Sequence, residues 1–215
     1  MIITQIVNQF DKSTNPTHRY SSFDYCYNHF YKNQNNVQKD MEKSCAIIGF
    51  YLASWGMMRG SSFLLQKSYK YYEPLIEYIA NLDVNTWDID VKDYDNKSDF
   101  VIDLYNDIRS IIIDVNQRDI VLVTKIMLGV LGIAPAYDAY FCEVFRLIQP
   151  EKSRFRTFNK SSLEVIFNFY KKNKAEIDEL SKNTKTIDFK TGNQKYCYTQ
   201  AKIIDMYGFT KGLSL

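Results

Sequence analysis

Two long apolar stretches, each broken by glycine and each carrying polar groups, constrain this chain more than any other feature. The first is Cys45-Ala-Ile-Ile-Gly49-Phe-Tyr-Leu-Ala-Ser54-Trp55-Gly56-Met-Met-Arg59-Gly60-Ser61-Ser62. The second runs from Val121 through Thr124, Lys125, Gly129, Gly132 and Pro135 to Asp138. A glycine inside a helix costs about 1 kcal/mol relative to alanine. Several of them in the most hydrophobic segments point to backbones that must come close to a neighbour or to a ligand. The expectation is an antiparallel pair of helices crossing at Gly49–Gly56 and Gly129–Gly132, with Arg59 and Asp138 brought together.

Apolar residues recur at three- and four-residue spacing through most of the chain, the period of an amphipathic helix. The pattern predicts helices over about 21–32, 37–58, 63–72, 74–82, 98–115, 118–132, 136–148, 161–180 and 196–207, the last closed by Gly208. Ser98, Ser161 or Ser162 serve as N-caps, and Pro74 sits in a first turn. Only Thr186–Lys190 alternates like a short strand or an extended arm. The fold class is therefore all-α, an irregular globular domain of about eight helices spanning 1–215. No fixed-period repeat is present, so a solenoid is excluded.

Charge is distributed unevenly. Residues 1–149 carry 14 Lys+Arg against 18 Asp+Glu, and residues 150–215 carry 13 against 7. An exposed acidic loop is expected over about 83–97 and a basic C-terminal part over about 150–215, where a nucleic acid or an acidic partner would fit. Cys26, Cys45, Cys142 and Cys197 are too widely spaced for a disulfide framework and read as reduced thiols of a cytoplasmic protein. The first residues lack the basic start of a signal peptide, and the apolar stretches are too short or too polar to cross a bilayer, so no membrane partner is expected.

Metal and cofactor chemistry find no support. Cys26 and His29 share a helical face, but His18 is the only other histidine and zinc needs three or four ligands. Asp93-Tyr-Asp95-Asn-Lys97-Ser98 puts lysine where a calcium loop needs a ligand and serine where it needs glycine. Phosphate-binding glycine loops and the nucleophile-elbow motif are both missing. What remains is polar residues on the apolar stretches. Arg59, Ser61 and Ser62 could hold an anion at a helix N-terminus, or Ser61 and Ser62 could merely cap while Arg59 pairs with Asp138. Lys125 and Asp138 interrupt core segments and need partners if buried. Lys152-Ser-Arg154-Phe155-Arg156-Thr-Phe158-Asn-Lys160 interleaves cations with aromatics, which suits a phosphate backbone with stacked bases, or else a solvated connection with its rings tucked inward.

Phe50–Ser62 and Lys125–Phe141 look like stretches of uncharacterised bacterial helical proteins, which implies a helical fold over most of the chain and no particular activity. Leu131-Gly-Ile-Ala-Pro-Ala-Tyr-Asp138-Ala-Tyr-Phe, followed by Val144-Phe-Arg-Leu147, resembles the segment after the hairpin in helix-hairpin-helix DNA glycosylases. There an aspartate opens a helix lining the lesion pocket, and the resemblance implies such a role for Asp138. The sequence departs from that pattern upstream, where Asn116–Val123 contains no glycine, and Lys125 lies deeper in its helix than the lysine of that family.

Three classes of function stay open. The favoured one is a binding or regulatory module without a catalytic constellation of its own. The second is a nucleic-acid-acting protein using the loop around Arg154 and Arg156, with Asp138 as acid or base. The third is a small-molecule enzyme built on Arg59, Ser62 and Asp138.

Overall fold

A computed structural model of the protein describes residues 2–12, 15–113, 119–153 and 155–215. The chain is mainly helical: α1 (Ile2–Lys12), α2 (Ser22–Asn33), α3 (Met41–Ser54), α4 (Glu73–Ala80), α5 (Tyr94–Ile112), α6 (Ile120–Ile126), α7 (Ala139–Ile148), α8 (Lys160–Lys172), α9 (Lys174–Asn183) and α10 (Gln200–Gly212). A two-stranded antiparallel ribbon, β1 (Lys185–Ile187) with β2 (Gln194–Cys197), joins α9 to α10. Among the described residues no helix is long and apolar enough to cross a membrane.

The central element is α10. Every residue from Gln200 to Phe209 is buried, including Lys202 and Asp205. Helices α1, α7 and α9 surround it. Gly208 lies inside this helix rather than closing it, because Phe141 of α7 packs on its Cα; a Cβ there would lie 2.6 Å from the ring. The two glycine-bearing segments do meet, and they come closest at Gly129. A Cβ on Gly129 would fall 2.3 Å from Tyr51 Cε1, and the Tyr51 hydroxyl donates to the Lys125 carbonyl at 3.0 Å. Here α6 widens into a π-helical turn over Met127–Leu131 and ends at Gly132, whose φ of +65° is the left-handed conformation glycine tolerates.

Several sequence-based boundaries move. The stretch 63–72 forms two 3₁₀ turns, Phe63–Gln66 and Tyr69–Tyr72, instead of one helix. The expected acidic loop at 83–97 is instead 3₁₀ turns Val84–Asp88 and Val91–Asp93 running into α5, with Trp87, Val91 and Tyr94 buried. Its sequence lacks helical period, yet Asp90 ties it to the core. The Asp90 carboxylate accepts from the Val91, Ala201 and Gln200 N–H groups at 2.8, 3.0 and 2.6 Å, and so caps the first turn of α10. The cap of α8 is Asn159, which forms a reciprocal capping box with Ser162.

Candidate functional site

Residues 133–138 leave the π turn as an extended strap that delivers Asp138 to the start of α7. The strap is fixed from three sides. Tyr94 donates its hydroxyl to the Ile133 carbonyl at 2.7 Å. Asp205 accepts the Ala136 N–H at 3.1 Å, and Thr124 Oγ1 accepts the Tyr137 N–H at 2.9 Å. Pro135 suits this extended path because it has no N–H to satisfy. Asp138 then caps α7, with Oδ1 accepting the Phe141 N–H at 3.1 Å. Its other oxygen, Oδ2, lies 3.2 Å from Lys125 Nζ.

Lys125 and Asp138 form an ion pair with side chains only 4% and 14% exposed. Asp138 therefore has Lys125 as its cationic partner among the described residues, and not Arg59. The pair sits on the floor of an open cleft of about 1130 Å³, larger than the roughly 300–1,000 Å³ of pockets for drug-sized ligands. Arg19, Arg59, Arg146 and Arg156 line it, each exposed, against Asp119 and Asp138. Asp119 is bonded to Arg109, so the open part of the cleft is cationic. Aromatic walls complete it: Trp55, Phe63, Tyr137, Tyr140 and Phe209. Trp55 stacks on Tyr20, with centroids 5.1 Å apart and planes within 11° of parallel, and Lys125 Nζ stands 4.9 Å from the Trp55 centroid.

Arg59, Ser61, Ser62, Lys125, Asp138 and Arg156 thus converge on one cleft; Arg154 lies outside the described residues. The individual roles differ from expectation. Ser62 does accept an N–H, that of Leu64 at 3.3 Å, but the turn it caps is four residues long and 3₁₀. So short a turn carries little dipole towards an anion. Ser62 spends its own proton on the Met57 carbonyl at 2.6 Å. Arg59 folds back over Gly56, its Nε 3.1 Å from where a Cβ would be. The loop phenylalanines turn inward, away from any base. Phe155 is 2% exposed and packs on Tyr137, Phe141 and Phe145, and Phe158 stacks on Tyr105 at 4.6 Å. Lys152 and Lys160 bond Glu164 and Asp99. Arg156 remains as the cation this loop offers to the cleft among the described residues.

Sequence reasoning missed Arg19, Arg146, and the second buried pair, Lys202 with Asp205 at 3.1 Å. A signal existed for the pair: two opposite charges three residues apart in Ala201-Lys-Ile-Ile-Asp-Met206, a segment otherwise apolar enough to be core. Nothing comparable marks Arg19 or Arg146, which are ordinary surface cations until the fold gathers them. Among the described residues no group of three or more His, Cys, Asp or Glu could hold a metal ion. No protein family, no curated protein and no solved structure matches this chain.

Proposed function

We propose that the cleft receives a nucleic-acid strand and that Lys125 and Asp138 act on a sugar carbon of it. The observation that carries this reading is the Lys125–Asp138 pair on the floor of an arginine-lined, aromatic-walled cleft. Arginines suit phosphate oxygens because each offers a planar fork of donors. A primary amine beside a carboxylate suits covalent catalysis at a carbon bearing a leaving group or an aldehyde. In such a step Asp138 takes a proton from the Lys125 ammonium. The freed amine attacks C1′ of the sugar, and the bond to the base breaks with its electron pair leaving on the base, which takes the proton held by Asp138 and so restores the carboxylate. Asp138 opening α7 agrees with the aspartate implied by the helix-hairpin-helix glycosylase resemblance. The four unpaired cysteines, three of them buried, suit a reducing, cytoplasmic setting.

Borohydride trapping tests the reading. Oligonucleotides carrying an aldehydic abasic site, in DNA and in RNA, are incubated with the protein and sodium borohydride. A covalent adduct is expected with wild type and none with Lys125→Gln. Arg59→Ala/Arg156→Ala should weaken strand binding and flatten its dependence on salt. If strands bind at low salt and no adduct forms, the protein is a binding module; if none binds, the nucleic-acid reading fails.

A further inference from the structure

The aromatic walls of the cleft differ in how much of each ring the fold uses. Tyr137 and Phe209 are buried, and Trp55 and Phe63 are half-buried against Tyr20 and Tyr71. Tyr140 is 41% exposed. A single exposed ring needs no explanation on a protein surface, so its position decides the matter. It lies two residues past Asp138, in the first turn of α7, and lines the same cleft as the Lys125–Asp138 pair.

The fold holds this ring in place without covering it. The Tyr140 backbone is pressed against Gly212 of α10, where a Cβ would fall 2.5 Å from the Tyr140 carbonyl oxygen and 2.8 Å from its Cα. The adjacent Phe141 N–H is tied to Asp138. The ring itself meets Phe209 edge to face, with centroids 5.4 Å apart and planes at 81°. Whichever ring supplies the edge, at least one face of Tyr140 stays clear of Phe209. A fixed backbone under an open aromatic face suits a stacking platform, because little freedom is lost when a planar group settles on it.

The shape of the site narrows the ligand further. Lys125 and Asp138 are recessed at the bottom of the cleft, with side chains 4% and 14% exposed. A double helix keeps its sugar carbons along grooves about 6 or 12 Å wide, which proteins reach by projecting a helix or a ribbon into them. A concave floor cannot project, so the strand has to enter the protein. The cleft volume of about 1130 Å³ equals about one to four of the roughly 300–1,000 Å³ pockets that bury a drug-sized molecule. That is room for a few unpaired nucleotides.

We infer, resting on the reading of the cleft as a strand-binding site, that it takes single-stranded nucleic acid and stacks a base on the open face of Tyr140. The stacked base neighbours the nucleotide whose sugar lies over Lys125 and Asp138. Every base has a π-face, so such a platform accepts many sequences.

Fluorescence anisotropy over a salt series tests it with labelled probes of about 12 nucleotides. One is a single strand, in DNA and in RNA, and one is the same strand in a blunt duplex. The third is a strand of abasic tetrahydrofuran units, which keeps the phosphates and lacks the bases. Wild type should bind a base-bearing single strand more tightly than its duplex, and about fivefold or more tighter than the abasic strand. Tyr140→Ala should bind the base-bearing and abasic strands alike, and Tyr140→Phe should behave as wild type. A merely structural role would not erase the preference for bases while sparing the attraction to phosphates. Should alanine prevent folding, Tyr140→Leu keeps bulk against Phe209 without a π-face and answers the same question. A duplex bound as tightly as the single strand, or a preference for bases that survives in Tyr140→Ala, overturns the inference and leaves the nucleic-acid reading intact. No binding of any probe at the lowest salt sinks both. A Tyr140-dependent preference for bases without a borohydride adduct upholds single-strand binding and rejects the covalent step.

Discussion

Gly129→Ala probes the closest approach of the two glycine-bearing segments, that of Gly129 to Tyr51. The added methyl would fall 2.3, 2.5 and 2.9 Å from Tyr51 Cε1, Cζ and Cδ1, so the ring or the π turn must move by an ångström or so. Tyr51 is 1% exposed, and its hydroxyl bonds the Lys125 carbonyl, so the ring has nowhere to go. Overpacking of this kind costs about 1–3 kcal/mol, and the strained hydrogen bond about 1 kcal/mol. Alanine returns up to about 1 kcal/mol by restricting the unfolded chain. The net expectation is a destabilisation of about 2–3 kcal/mol, or roughly 5–10 °C in Tm for a chain of this size. Urea and thermal unfolding followed by circular dichroism would measure it. Tyr51→Leu alone should also destabilise, yet combining it with Gly129→Ala should cost at least about 1 kcal/mol less than the sum, because the new methyl fills the vacated space. A Gly129→Ala protein as stable as wild type, or additive behaviour in the double variant, would refute the close approach.

Three further expectations concern other parts of the molecule. Asp138→Asn should keep the cap on α7 but leave Lys125 without its carboxylate, whereas Asp138→Ala loses both; the second should be less stable than the first by about 1 kcal/mol in denaturant titrations. Asp90→Asn places an amide nitrogen against at least one of three donating N–H groups, and a loss of about 2–3 kcal/mol with early fraying of α10 in hydrogen exchange is expected. His29 is neutral in the fold. Ser44 donates to the Val37 carbonyl at 2.8 Å, so the imidazole must donate from Nε2 to Ser44 and leave Nδ1 as the acceptor facing Asn33. Burial lowers its pKa to about 4, with Lys43 adding to the effect. The unfolded chain then binds the extra proton first, so stability should be complete above about pH 6.5 and decline as pH falls towards 4. After discounting for partial solvent screening, the decline is about 1–2 kcal/mol. His29→Gln should lose that part of the slope, and an unchanged slope would contradict the assignment.

Much of the helical framework was legible because α5, α7 and α8 each bury one stripe and expose the other, and a 3.6-residue period records that asymmetry directly. Glycine marked a true close approach at 129 and a left-handed stop at 132. The centrality of α10 was not legible for the opposite reason: a helix buried all round has no stripe, and its lysine and aspartate disguise it as surface. The 3₁₀ turns between residues 63 and 93 were missed because their order comes from distant partners, such as Asp90 at the start of α10, and not from local period. Convergence of Arg59, Lys125 and Asp138 on one cleft followed from their place on two crossing segments. The true partner of Asp138 did not, since a helical lysine thirteen residues upstream can meet an N-cap only if the intervening strap doubles back.

That α10 follows everything it packs against has a consequence for biosynthesis. Residues 1–199 leave the ribosome before the rod that fills their centre exists, so α1 and α7 spend that interval with their apolar stripes around an empty trough. Such a nascent chain offers hydrophobic surface to chaperones or to neighbouring copies until α10 arrives. Slowing translation just before codon 200 should therefore lower the soluble yield while leaving the thermodynamic stability of the finished protein untouched.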